Sequence, residues 1–150
     1  IEGGAWSGLL VLWETDGSPP NLKIGDLLDV SGDWTEFNCL SELIAKQWTL
    51  KEPWTGSLHP EAVDPSLLAS GAAAAEAWEG VVVAVEDVTI GTVDEFGDLT
   101  LEGSGLKVDN GYVGHFEVQP GATFSSIIGV VYYTFGEFRL LPRSLDDLLK

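Results

Sequence analysis

One pattern of β-type sequence is written twice in this chain, 97 residues apart: Ser7-Gly8-Leu9-x-Val11 recurs as Ser104-Gly105-Leu106-x-Val108, Gly32 as Gly129, and Leu43 as Leu140. Apolar class follows the same offset, with Leu27 matching Phe124, Val30 matching Ile127 and Trp34 matching Val131. Allowing a slip of one residue, Gly25 also pairs with Gly121. A repeat of this kind constrains the fold more than any local motif, because both copies must form the same supersecondary unit. The kept positions are turn glycines and alternating apolar residues, which are what a pleated strand needs in order to hold one face toward a core.

Each copy reads as a short strand around Gly-Leu-x-Val, a loop, and a long strand interrupted by glycine, spanning Leu27 to Phe37 in the first copy and Phe124 to Phe138 in the second. Glycine inside a long strand marks a bulge or a barrel corner, so Gly32 and Gly129 are expected at corners. Upstream of the second copy, Val81 to Val85 and Val88 to Ile90 form a β-branched run that reads as a leading strand. At the same offset its counterpart falls before Ile1. The first unit is therefore expected to lack its leading strand and to open on its second one, the missing strand being supplied from elsewhere or lying further upstream.

The expected fold is all-β, β-dominated with short helices, as two tandem barrel units. The first spans 1–52 and the second 79–143. Between them runs a Pro/Ala-rich connector, 53–78, in which Asp64 to Ser70 reads as an N-capped helical turn and Ala72 to Trp78 as another short helix. Leu67, Leu68 and Trp78 are expected to plug a barrel end. A last helical turn is expected over 144–150.

Charge narrows the partners. Twenty-four acids against seven bases give a net charge of −17, with the acids scattered along the chain. A phosphate-tracking groove needs clustered Lys and Arg, so nucleic acid is disfavoured. Cys39 is the only cysteine, which excludes an internal disulfide and suggests a small buried hydrophobe. No apolar run reaches the roughly 20 residues of a membrane span.

Catalytic chemistry lacks candidates. His59 and His115 have no zinc-ligand spacing around them, and neither a nucleophile elbow nor a phosphate-binding loop is present. The expectation is a non-enzyme without a cofactor. Asp94, Glu95 and Asp98, with Asp109, are candidates for weak calcium binding, since that ion takes about six to eight oxygens in a flexible shell. The competing reading of Asp94-Glu95-Phe96-Gly97-Asp98 is a hairpin turn. Of Trp6, Trp13, Trp34, Trp48, Trp54 and Trp78, the pair Trp6 and Trp13 flanks the strand beside the expected gap. The candidate partner interface is accordingly Trp6, Ser7, Gly8, Leu9, Leu10, Val11 and Trp13.

Three segments carry a family resemblance: Gly25-Asp26-Leu27-Leu28-Asp29-Val30-Ser31-Gly32, Trp78-Glu79-Gly80-Val81-Val82-Val83, and the run from Ile128 to Ser144. They resemble the OB-fold modules of secreted bacterial proteins, found beside endonuclease/exonuclease/phosphatase-type catalytic domains and in multidomain surface proteins. The resemblance implies an OB-like barrel, export to the outside or surface of a bacterial cell, and an accessory role. It does not imply a nuclease, whose acidic and His motifs are missing.

Two functions follow as expectations. One is a structural, self-assembling module, such as a filament or matrix subunit, whose first barrel is completed by a strand from another copy or an adjacent domain. The other is an accessory module binding nucleic acid or polysaccharide.

Overall fold

The computed structural model describes residues 3–13, 21–53, 59–114 and 117–150, without the side chains of 52 and 53. The described residues are all-β, with no helix of seven residues or more among them. It divides into two compact units, Leu9–His59 on one hand and Ile1–Gly8 with Pro60–Lys150 on the other. Residues 3–8 and the connector from Pro60 onward thus cluster with the second copy of the repeat, whereas the sequence reading has a boundary at 52/53.

The first unit is a three-stranded sheet of β1 (Leu10–Trp13), β2 (Asp26–Phe37) and β3 (Leu40–Pro53) in the order β1-β3-β2. β2 and β3 form an antiparallel hairpin, and β1 runs parallel to β3. The hairpin turns at Asn38 and Cys39, both with positive φ, the backbone that a tight two-residue turn requires. Cys39 is exposed at this tip, not buried as the sequence suggested. A hairpin tip has no layer above it to pack against. At Gly32 the register shifts, and an added Cβ would overlap the Ile44 carbonyl oxygen. Only glycine lets β2 bend that closely over β3.

The second unit contains β4 (Glu61–Ala62), β5 (Val82–Val93), β6 (Leu99–Leu101), β7 (Lys107–Val108), β8 (Thr123–Thr134), β9 (Glu137–Leu141) and β10 (Leu148–Leu149). β5, β6, β7, β9 and β8 pair in that order, and β8 pairs back onto β5. Five strands close a barrel. β7 and β9 are parallel and the other pairs antiparallel, the Greek-key connectivity of an OB fold. Its interior is a continuous apolar cluster including Val83, Val85, Val88, Ile90, Leu99, Leu101, Leu106, Val108, Phe124, Ile127, Val131 and Leu140. At about 1.5–3 kcal/mol for each large aliphatic side chain removed from water, this cluster is the main source of the unit's stability.

The segment read as one strand from Phe124 to Phe138 is two, β8 and β9. Phe135 and Gly136 both have positive φ and reverse the chain, as Asn38 and Cys39 do 97 residues earlier. The connector forms single 3-10 turns at Pro65–Leu67 and Ala75–Trp78, the first capped by the Asp64 carboxylate, which accepts from the Ser66 N–H. Leu68 is fully buried and Trp78 packs on the core, whereas Leu67 is exposed. A three-residue turn can direct only one of two consecutive leucines inward. The tail makes a 3-10 turn at Leu145–Asp147 and then β10, which adds to β8.

Candidate functional site

The repeat extends to strand register. β1, β2 and β3 each begin 97 residues before β7, β8 and β9, at Leu10 and Lys107, Asp26 and Thr123, Leu40 and Glu137. Trp34 pairs with Leu43 as Val131 pairs with Leu140. Val11 pairs with Leu43 as Val108 pairs with Leu140. The first unit therefore reproduces the third, fourth and fifth strands of the barrel, not the second onward. The Gly-Leu-x-Val strand was placed one position early because the short β6 (Leu99–Leu101) has few apolar residues to announce it. At the common offset Leu99–Leu101 falls on residues 2–4, and Gly3 and Gly4 form no strand.

Two edges of the three-stranded sheet are open among the described residues, one along β1 and one along β2. In the barrel the matching edges of β7 and β8 are taken by β6 and β5. The face behind these edges is apolar in both units. Leu106, Val108, Phe124, Ile127, Val131 and Leu140 are at most 3% exposed in the barrel. Their counterparts Leu9 and Trp34 are 47% and 65% exposed, and Val11, Leu27, Val30 and Leu43 are half-buried. A contiguous apolar face of this kind marks an interaction site. Trp34 and Leu43 became legible as part of it only through the register.

The seven residues of the sequence-based interface divide between the two units. The N–H of Trp6 donates to the Ala77 carbonyl at 2.6 Å, Ser7 Oγ donates to the Gly4 carbonyl, and Gly8 lies against the backbone of Gly80. These three belong to the barrel unit, although the Trp6 ring is exposed. Leu9, Leu10, Val11 and Trp13 belong to the open sheet. Trp13 meets Trp48 edge-on, with ring centroids 6.1 Å apart.

The acidic residues considered for calcium occupy one end of the barrel. The Asp94 carboxylate accepts from the N–H groups of Phe96 and Asp98, which makes it a turn residue. Asp98 and Asp109 both face the Arg139 guanidinium, at 2.7 and 3.3 Å, and Glu137 binds it at 2.6 Å and Lys107 at 2.7 Å. Glu95 is exposed. No group of three or more His, Cys, Asp or Glu among the described residues is placed to hold a metal ion. Burial opposes the charge on Glu137, yet hydrogen bonds from Lys107 and Arg139 outweigh it and hold the carboxyl below its ordinary value.

Glu42 occupies the register position of Arg139. Each is buried, and each lies between its parallel and its antiparallel neighbour, Leu10 and Thr35 for Glu42, Lys107 and Tyr132 for Arg139. Among the described residues Glu42 makes none of the ion pairs that Arg139 makes.

His59 is exposed, whereas His115 and Trp54 lie outside the described residues. No helix among the described residues is long and apolar enough to cross a membrane. Comparison with protein-family models, curated proteins and solved structures finds no match to this chain.

Proposed function

We propose that this chain is a non-enzymatic structural module of a secreted bacterial assembly, in which β-strands from another copy or an adjacent domain add to the open edges of the first unit. One observation carries the reading: a barrel-type interior face is retained in that unit, in barrel register, without, among the described residues, the two strands that would cover it. Water on that face is costly at roughly 25 cal/mol per Å² of apolar surface. Unpaired strand edges beside it supply hydrogen bonds for an incoming strand. The OB-fold family resemblance agrees with an exported accessory role, and the net charge of −17 favours solubility outside the cell.

The test is sedimentation velocity over a concentration series, with hydrogen exchange on the same samples. The amides of β1 and β2 should be protected in assembled protein purified from its host's medium relative to the isolated chain, and Trp34→Lys should abolish both the assembly and the protection. The reading fails if the chain stays monomeric and those amides are as labile in protein purified from its host's medium as in the isolated chain.

A second reading, polysaccharide binding, is favoured by the exposed rings of Phe96 and Phe135 at one barrel end. The Phe96 carbonyl accepts from the Asn110 amide and Phe135 lies 5.3 Å from the Arg139 guanidinium, so both loops are tied to the same polar network. These are the hairpin loops with which OB folds contact oligosaccharides. Glycan-array binding that is lost in Phe96→Ala and Phe135→Ala would support it, whereas binding unchanged in both variants would remove it.

A further inference from the structure

We propose that the open sheet seats a two-stranded β-hairpin from outside these 150 residues, its long strand antiparallel to β2 along Asp26–Asp33, its return strand antiparallel to β1 at Leu10 and Val11, with a basic side chain over Glu42. This rests on the strand-addition reading and specifies the occupant.

The chain contains the template. In the barrel, β5 pairs with β8 from Val82↔Val130 to Thr89↔Thr123, and β6 pairs with β7 at Leu99↔Val108 and Thr100↔Lys107. Shifted by 97 residues, the same pairings fall on Asp33 to Asp26 of β2 and on Val11 and Leu10 of β1. Both open edges are then covered by one hairpin. A single strand would cover one edge and leave the apolar face wet along the other.

Charge decides which hairpin. In the barrel, Glu86 of β5 stands opposite Ser126, and Asp98, just before β6, binds the buried Arg139. In the open sheet the Ser126 position is Asp29 and the Arg139 position is Glu42. Swapping in the β5–β6 hairpin of a second copy would set Glu86 against Asp29 and Asp98 against buried Glu42. Like charges directly across a strand pair are destabilising, less so at exposed Asp29, which Lys51 already pairs at 2.6 Å, than at Glu42, where a second carboxylate would be set over a largely buried one. Extracting that hairpin would also expose Val83, Val85, Ile90 and Leu101 of the donor. The fitting occupant is apolar toward Leu27, Val30 and Trp34, and carries Lys or Arg opposite Asp29 and over Glu42.

The probe is a backbone-cyclised peptide of residues 81–103, unaltered or with Glu86→Lys and Asp98→Lys, titrated by calorimetry into the full 150-residue chain. The double-lysine peptide should bind at least about tenfold more tightly than the unaltered one, in line with a charge-assisted hydrogen bond replacing a repulsion. It should protect β1 and β2 together in hydrogen exchange. The advantage should vanish in an Asp29→Asn, Glu42→Gln chain, whose β2–β3 exchange protection confirms that it is folded. Equal binding of the two cyclic peptides overturns the charge assignment. A linear peptide of residues 82–93 that binds as tightly as the hairpin overturns the two-stranded occupant while strand addition stands. If neither strand nor hairpin binds, strand addition falls as well.

Discussion

Arg139 is the most heavily engaged side chain of the barrel unit. Its guanidinium is mostly buried and faces Asp98, Asp109 and Glu137, and its plane lies near the exposed Phe135 ring. Removing one member of a buried ionic group leaves the others charged and unpaired, which costs about 3–5 kcal/mol. Arg139→Met should therefore destabilise the barrel by that order in urea unfolding, and a loss below about 1 kcal/mol would show that water already screens the carboxylates. Acid should act on Glu137 of this group and on the separate Arg143–Asp147 pair. The hydrogen bond from Arg143 is the chief cause that holds Asp147 below the ordinary carboxylate range, against the effect of burial, and Glu137 is likewise lowered. A carboxyl whose pKa is depressed by folding adds stability above its unfolded value, and this is lost as pH falls through the folded one. Stability attributable to these two groups should thus hold at neutral pH and decline below about pH 4, with Arg143→Ala making the decline shallower. A pH series of urea midpoints checks it, and a decline equally steep in the variant would remove Asp147 from the account.

At the scale of elements, the same apolar position sits in two environments. Leu140 on β9 is fully buried, and Leu43 on β3, at the same register, is half-buried. Leu140→Ala should cost roughly 2–5 kcal/mol, and Leu43→Ala less than half of that, because a cavity term arises only where the surroundings are closed. Equal losses in two unfolding series would mean that the face behind β1 and β2 is covered in the isolated chain. This pair also shows what the sequence made legible. Turn glycines and apolar alternation disclosed the repeat and the all-β class, since both are local signals tied to backbone geometry, and the OB-like form of the barrel came with the family resemblance. β3 and the division of Phe124 to Phe138 into two strands were hidden, because Asn38-Cys39 and Phe135-Gly136 are unobtrusive turns inside apolar runs. Glu42 could not be singled out at all: its meaning comes from pairing with Leu10 and Thr35 in the register that Arg139 occupies, a relation visible only once both sheets are folded.

For the whole molecule, two units of unequal closure predict unequal stability. The barrel has no open edge within its ring of five strands and buries a continuous core, whereas the open sheet contributes Leu40 and Ala45 alone, among the described residues, to the buried apolar residues. Three strands with one apolar face are near the minimum for independent stability. Scanning calorimetry of the 150-residue chain should accordingly resolve two transitions, with β1–β3 melting first and the barrel later, and hydrogen exchange should assign them in that order. The double-lysine hairpin should raise the lower transition and leave the upper one in place, because a ligand stabilises only the unit that binds it. A single cooperative transition, or a shift of both by the peptide, would mean that the open sheet does not respond as a separate unit. Docking would then have to be argued for the chain as one body.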